Sequence, residues 1–197
     1  MTGHIKAAPE QRPARPASLP GDPRGRARVG RMIRVDQAGE LGATEIYRGQ
    51  MAVLGDRPCA PLLAEMAAQE AEHLAVFDKM MVARGVRPTA LSPVWRIAGF
   101  TLGVGSALLG ERAAMATTVA VEEVIEEHYQ KQLDALGEDE AELRATIAEF
   151  RADEIKHRDV AQQYNAETSA EGAPAYEILS RSVKAGARLA IWLAQRV

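Results

Sequence analysis

Two copies of the pattern Glu-x-x-His occur in this chain, Glu70 to His73 and Glu154 to His157. Residues three positions apart lie on the same face of a helix, so each copy would direct a carboxylate and an imidazole to one side. Carboxylate oxygen and imidazole nitrogen are both ligands of divalent metal ions. One copy alone is weak evidence for a metal site, because Glu and His are common on the solvated faces of helices.

The elements that carry these residues are predicted to be helices. From residue 30 onward apolar residues recur at the helical spacing, and no long stretch alternates between apolar and polar residues as a strand does. Glycine or proline near most ends of the periodic segments marks where the helices stop. The fold class is therefore predicted to be all-α. The predicted helices span 31–55, 59–84, 110–136, 139–166 and 174–195.

The first four predicted helices each have an inward-facing apolar stripe that acidic residues interrupt. The stripes of the second and fourth helices contain the two Glu-x-x-His copies, and those of the first and third contain Glu40 and Glu122. Glu40 precedes Glu70 by 30 residues, and Glu122 precedes Glu154 by 32. The chain is therefore predicted to contain two similar helical hairpins related by a pseudo-two-fold axis.

Four carboxylates would meet where these stripes face one another. Each buried, unpaired carboxylate costs several kcal/mol, so four would exceed the net stability of ~5–15 kcal/mol of a typical domain. Two divalent cations would balance their charge, with the histidines bound as neutral imidazoles. One Glu from each of two helices plus Glu-x-x-His from each of two others is the ligand set of ferritin-like di-iron bundles. The sequence thus predicts a ferritin-like four-helix bundle that holds two metal ions.

Composition limits the other sites and partners. The net charge is −3 and no large basic field is present, so no nucleic acid partner is expected. Cys59 is the only cysteine, which excludes an internal disulfide and a thiolate metal site. Residues 1–28 contain five prolines and almost no apolar side chains. We predict a disordered tail there, a plain N-terminal extension or an organellar transit peptide, and a folded domain over 29–197.

The segment 97–110 is uncharged for 14 residues, whereas a helix that spans a membrane needs about 20. It is predicted to form a helix that lies in the membrane interface, next to Trp95 and Arg96. The last predicted helix, in which Lys and Arg alternate with apolar residues, is interpreted in the same way. For both segments, a glycine-rich helix packed inside the protein is the alternative interpretation.

Six stretches carry a resemblance that extends from about residue 30 to residue 197. They are "IRVDQAGELGATEIYRGQMAVLG", "EAEHLAVF", "VRPTALSPVW", "LLGERAAMATTVAVEEVIEEHY", "DEIKHRD" and "APAYEILSRSVKAGARLAIWLAQRV". In these stretches the chain resembles the demethoxyubiquinone hydroxylases of ubiquinone biosynthesis. The resemblance implies a di-iron centre in which Glu70 and Glu154 bridge the two irons. The implied ligands are Glu40, Glu70, His73, Glu122, Glu154 and His157, the same six that the stripes select.

The resemblance also implies a reaction and its setting. The enzyme would be a di-iron monooxygenase that hydroxylates the benzoquinone ring of demethoxyubiquinone with O₂, with electrons from NADH. No G-x-G-x-x-G motif follows a strand, so either NADH binds unconventionally or the quinone ring carries the electrons to iron. A polyprenyl quinone stays in lipid, so we expect a peripheral membrane protein. It would lie on the cytoplasmic face of a bacterial membrane or, alternatively, on the matrix face of the mitochondrial inner membrane.

The sequence leaves open the roles of two further residues, the partners of the protein and an alternative function. Tyr129 lies two turns beyond Glu122, and with His128 it is a candidate to contact the quinone or pass an electron; a tyrosine that only fills the core is the alternative. Homo-oligomers and complexes with other proteins of ubiquinone biosynthesis are possible partners. A ferroxidase or a peroxidase-type di-metal protein would use the same six ligands, and is the alternative function.

Overall fold

The computed structural model describes residues 25–167 and 174–196, which form six α-helices and no β-strand. A 3₁₀ turn at Glu138–Glu140 comes directly before the fifth helix. The prediction of an all-α, ferritin-like bundle is therefore confirmed. The helices are α1 Arg26–Leu54, α2 Ala60–Arg84, α3 Ser92–Leu108, α4 Glu111–Ala135, α5 Ala141–Glu167 and α6 Pro174–Ala194.

The start of α1 corrects the sequence-based boundary between tail and domain. Residues 26–28, which we assigned to the tail, are the first turn of α1, and residues 1–24 lie outside the described residues. Arg28 Nη2 donates a hydrogen bond to the carbonyl oxygen of Ala135 at 3.0 Å, and Val29 is buried. The hydrogen bond to Ala135 and the burial of Val29 stabilise a first helical turn that lies before the apolar stripe seen in the sequence. The other predicted helix ends agree within two residues.

Glycines with positive φ explain where α2 ends and where the chain turns from α3 to α4. Gly85 ends α2 in the left-handed conformation with φ of 63°, and its N–H points to the carbonyls of Met81 and Val82. Gly110, with φ of 103°, separates α3 from α4. An L-residue with a side chain rarely adopts such angles, so glycine at these two positions sets the lengths of the helices.

The bundle consists of two hairpins, α1 with α2 and α4 with α5. α3 connects the hairpins and packs along α1, and α6 packs on α4. Polar residues occupy the middle of the bundle, between two apolar clusters. One cluster is centred on Phe77, Ile147 and Phe150, and the other on Leu63 and Met115. The metal-binding pattern of the sequence thus lies between two water-excluding layers.

α3 approaches α1 so closely that only glycine fits at the contact. A Cβ at Gly99 would lie 2.7 Å from the carbonyl oxygen of Gly42, and a Cβ at Gly103 would overlap the carbonyl of Ile46. The opposite side of α3 exposes Val94, Ile97 and other apolar residues. One face of this segment is therefore packed inside the protein, as the alternative interpretation expected, and its position in a membrane interface stays a prediction. None of the described helices is long and apolar enough to cross a membrane.

We predict that Gly103→Ala destabilises the protein by about 1–3 kcal/mol, because the added methyl group forces α3 away from α1. Gly105→Ala is the matched control, since no atom lies within 4 Å of a Cβ at that position of the same helix. The control should be stabilised by about 0.5–1 kcal/mol, the usual gain of alanine over glycine inside a helix. Thermal unfolding of both variants measures the difference. Equal stability of the two variants would contradict the close packing of α3 on α1.

Candidate metal centre

All six predicted ligands meet in the middle of the bundle, in two overlapping groups. Each group contains two glutamates shared with the other, one further glutamate and one histidine, and its ligand atoms lie within 4.8 Å of one another. All six side chains are buried. The groups are Glu40, Glu70, His73 and Glu154, and Glu70, Glu122, Glu154 and His157.

The two shared glutamates have the geometry of bridging ligands, because each directs one oxygen to each histidine. Glu154 Oε1 lies 3.3 Å from His73 Nδ1, and its Oε2 lies 3.4 Å from His157 Nδ1. Glu70 Oε2 lies 4.0 Å from His73 Nδ1, and its Oε1 lies 3.1 Å from His157 Nδ1. Glu40 and Glu122 each belong to one group only. The arrangement can hold two cations side by side, with a terminal glutamate and a histidine on each.

Many of these ligand atoms lack hydrogen-bond partners, as expected for atoms that bind metal ions. Eight buried oxygen and nitrogen atoms at the centre have no hydrogen-bond partner, although buried polar groups in proteins normally have one. Such atoms are stable only if a cation, or protons in its place, compensates them. They are Glu40 Oε2, Glu70 Oε1 and Oε2, His73 Nδ1, Glu122 Oε2, Glu154 Oε1 and Oε2, and His157 Nδ1.

The pKa values of the buried groups also indicate a centre that attracts cations. Burial raises the pKa of Glu70 and of Glu122 well above the usual range, and the neighbouring Glu154 raises both further. Burial by itself would lower the pKa of His73, but the facing Glu154 and Glu40 raise it to about 10. Without metal, Glu70, Glu122 and His73 therefore bind protons, which reduces the negative charge of the centre. The centre attracts positive charge, and divalent ions fit its oxygen and nitrogen ligands.

Residues directly before the bridging glutamates orient the histidines. His157 Nε2 lies 2.9 Å from Gln69 Oε1, and His73 Nε2 lies 3.4 Å from Asp153 Oδ2. Amide and carboxylate oxygens accept hydrogen bonds, so Nε2 of each ring carries the hydrogen. The lone pair of each Nδ1 is then directed into the centre, as a metal ligand requires.

Two tyrosines hold the terminal glutamates across the bundle. Tyr47 in α1 donates a hydrogen bond of 2.7 Å to Glu122 Oε1 in α4, and Tyr129 in α4 donates a short one to Glu40 Oε1 in α1. Burial raises the pKa of both phenols, so they remain donors. Tyr129 therefore lies beside the centre, as its spacing indicated. The sequence analysis did not select Tyr47, although it follows Glu40 by seven residues as Tyr129 follows Glu122.

An apolar cavity of about 440 Å³ reaches the centre from one side. Helices α1, α3, α4 and α6 form its walls, and Glu40 and Tyr129 lie in the wall nearest the metal ligands. His128, the other candidate from sequence, also lines it, next to Asp36. A shallow groove between α3 and α6 shares Leu102 and Leu179 with the cavity. The surface groove and the cavity therefore lie next to each other on this side of the bundle.

The sequence is similar to proteins of known activity over most of its length. A relative from Rhodospirillum rubrum, a 3-demethoxyubiquinol 3-hydroxylase, is 54% identical over 180 residues, 91% of this chain and 83% of that protein. The mitochondrial NADPH-dependent 3-demethoxyubiquinone 3-hydroxylase of Homo sapiens is 48% identical over 176 residues, 87% of this chain and 79% of that protein. The model of the family described as ubiquinone biosynthesis protein COQ7 matches residues 27–194. With the buried ligands and the cavity that the fold assembles, this match shows that the chain belongs to the COQ7 family.

Proposed function

We propose that this protein is a di-iron monooxygenase that hydroxylates the benzoquinone ring of demethoxyubiquinone, or of its quinol, in ubiquinone biosynthesis. One observation carries the proposal: a buried centre of four glutamates and two histidines lies at the end of an apolar cavity. The centre suits dioxygen chemistry, and the cavity suits an apolar ring with a polyprenyl tail. The names of the relatives, hydroxylases of demethoxyubiquinol or demethoxyubiquinone, support the same reaction.

The ligand set favours two irons. Carboxylates favour hard ions and tolerate changes in coordination, and the same set occurs in ferritin-like di-iron proteins. When bound, the irons would supply electrons to dioxygen and activate it for attack on the ring carbon. Glu70 and Glu154 would hold the ions together, and Tyr47 and Tyr129 keep the terminal glutamates in position. The apolar clusters above and below the ligands exclude bulk water from the reaction.

The reaction requires two electrons and two protons for each O₂, because one oxygen atom enters the ring and the other leaves as water. We expected NADH as the electron source, and the names of several relatives specify NADPH. We therefore propose that a reduced nicotinamide nucleotide donates the electrons. His128 and Tyr129 line the cavity beside Glu40 and are proposed to contact the quinone head group.

The apolar cavity favours the hydroxylase over the alternative function, a ferroxidase or a peroxidase-type di-metal protein. A ferroxidase or a peroxidase-type protein acts on small polar substrates, which have no use for an apolar cavity of about 440 Å³. The walls of the cavity are apolar apart from a few groups, among them Asp36, Glu40 and His128, on the side near the metal ligands. A quinone would place its ring against these groups and its tail along the apolar walls.

The exposed face formed by α3 and α6 is proposed to lie on a membrane. Ile97 on α3 is 70% exposed, Leu109 directly after α3 is 68% exposed, and Leu189 and Trp192 are exposed on α6. The groove between these helices shares lining residues with the cavity, and we propose that a lipid-embedded quinone reaches the centre by this route without crossing water. Peripheral association with the cytoplasmic face of a bacterial membrane, or with the matrix face of the mitochondrial inner membrane, fits this surface. Several eukaryotic relatives are named as mitochondrial.

We predict that the purified protein binds about two irons per chain and that Glu70→Ala or Glu154→Ala loses both, since each bridging glutamate serves both ions. Glu72→Ala is the control, because Glu72 is exposed on the same helix two residues after Glu70. It should retain both irons. Metal analysis of the three variants measures the outcome, and two irons in both bridging variants would exclude this assignment of the ligands.

We predict that the hydroxyl oxygen comes from O₂. Incubation of the iron-loaded protein with a reduced nicotinamide nucleotide and demethoxyubiquinone under ¹⁸O₂ should add one labelled atom to the ring, detectable by mass spectrometry. A parallel incubation in H₂¹⁸O under unlabelled O₂ should add none. An unlabelled ring together with rapid consumption of hydrogen peroxide would instead assign the protein to the peroxidase-type class.

We predict that Ile97→Asp combined with Leu109→Asp releases the protein from lipid vesicles, because two charges would then face the acyl chains. Activity on a long-tailed quinone should fall more than activity on a short-tailed analogue. Val82→Asp is the control, since Val82 is 84% exposed on α2, which contributes no residue to the cavity or the groove. Vesicle flotation and the two activity assays test the prediction. An equal loss on both quinones would contradict the membrane orientation.

A further inference from the structure

The two hairpins repeat some residue types around the centre and differ in others. Counted from Glu40 in α1 and from Glu122 in α4, a tyrosine follows seven residues later and a glutamine ten residues later. The repeated pairs are Tyr47 with Tyr129, and Gln50 with Gln132. Two of the positions that differ lie four residues before and six residues after each glutamate. There, Asp36 corresponds to Thr118, and His128 corresponds to Ile46.

The polar residues at these two positions, Asp36 and His128, contact each other between α1 and α4. Asp36 Oδ1 accepts a hydrogen bond of 2.6 Å from Gln132 Nε2. His128 Nε2 lies 3.2 Å from the same oxygen and 2.8 Å from Gln132 Nε2. Asp36 and His128 both line the apolar cavity. The three residues therefore form a polar cluster in the cavity wall, outside the set of metal ligands.

Packing of the bundle does not require a carboxylate at position 36. Asp36 is 2% exposed, and burial raises its pKa. Its Oδ2 has no hydrogen-bond partner among the described residues. At the corresponding position of the other hairpin, the uncharged Thr118 is equally buried. Burying a carboxylate costs free energy, and only the hairpin position that faces the cavity has one. This difference points to a functional role for Asp36.

The cluster anchors His128 in every protonation state of its ring. When Nε2 carries a hydrogen, Asp36 Oδ1 can accept it, and when Nε2 presents a lone pair, the amide of Gln132 can donate to it. No described residue hydrogen-bonds Nδ1 of this ring. His128 can therefore change Nδ1 from donor to acceptor without leaving its position in the cavity wall.

We propose that Asp36 and Gln132 are positioning residues that hold His128 so that its Nδ1 hydrogen-bonds a ring oxygen of the quinone substrate. A quinone oxygen accepts a hydrogen bond, whereas the hydroxyl of the corresponding quinol donates one. A histidine that is anchored in both of its neutral tautomers can bind both forms of the ring in one place. This inference rests on the proposed function, since it takes the cavity to be the site of a quinone.

The first test compares two variants of Asp36. Asp36→Leu removes both acceptor oxygens, and it should lower kcat for ¹⁸O incorporation by about 10–100-fold, the usual effect of losing a hydrogen bond that orients a functional imidazole. Asp36→Asn keeps an acceptor oxygen and should retain most of the rate. Iron content and melting temperature should not fall in either variant, because the change removes a buried charge rather than a metal ligand. Loss of iron from Asp36→Leu would assign Asp36 to the support of the metal centre and overturn the inference.

The second test is a double-mutant cycle with His128→Ala. If Asp36 and Gln132 act through His128, then Asp36→Leu and Gln132→Met should each lower kcat in the wild-type background and have little further effect once His128 is absent. Gln50→Met is the matched control, because Gln50 is the counterpart of Gln132 and donates instead to the carbonyl of Ala114. Any effect of this control should be the same in both backgrounds.

The outcomes separate this inference from the proposed function. An active wild-type protein in which Asp36→Leu lowers kcat by the same factor with and without His128 overturns the positioning role alone. A wild-type protein that is loaded with iron and incorporates no label into the ring overturns the proposed function, and the positioning role with it.

Discussion

The mutual repulsion of four buried carboxylates is the constraint on which the rest of the structure depends. Glu40, Glu70, Glu122 and Glu154 lie between two apolar clusters, where water cannot screen their charges. Metal cations or protons must compensate these charges, and the ligand atoms are arranged so that two cations could share Glu70 and Glu154. Burial of these carboxylates destabilises the metal-free fold, so any metal ions that bind here would also stabilise the folded state.

The scaffold keeps this centre in place through contacts that repeat in both hairpins. Each terminal glutamate is held by a tyrosine from the opposite hairpin, and each histidine is oriented by the residue before the opposite bridging glutamate. Because these contacts cross between the hairpins, neither hairpin can form half of the centre alone. The two halves of the sequence thus specify one site together.

The symmetry of the metal ligands contrasts with the asymmetry of their surroundings. The additional helices α3 and α6 cover α1 and α4, and the apolar cavity lies beneath them. Glycines bring α3 close to α1, while its outer face and part of α6 remain apolar and exposed. Asp36 and His128 interrupt the repeat in the wall of this cavity. The pseudo-symmetry thus belongs to the candidate metal centre, and these departures from it lie at the cavity that we propose to bind the substrate.

The sequence by itself determined the fold class, five of the helices, the apolar segment that forms α3 and all six residues that meet in the candidate metal centre. Helical periodicity places those ligands on inward faces, and the cost of buried charge then demands cations, so local pattern and electrostatics suffice. The tertiary structure alone decided which oxygen faces which histidine, and that Tyr47 and Tyr129 cross over to the opposite glutamates. It also decided the first turn of α1, the cavity, and the contact of Asp36 with His128, which lie 92 residues apart. Such contacts depend on how whole helices pack against one another, and no spacing within a single helix encodes that geometry.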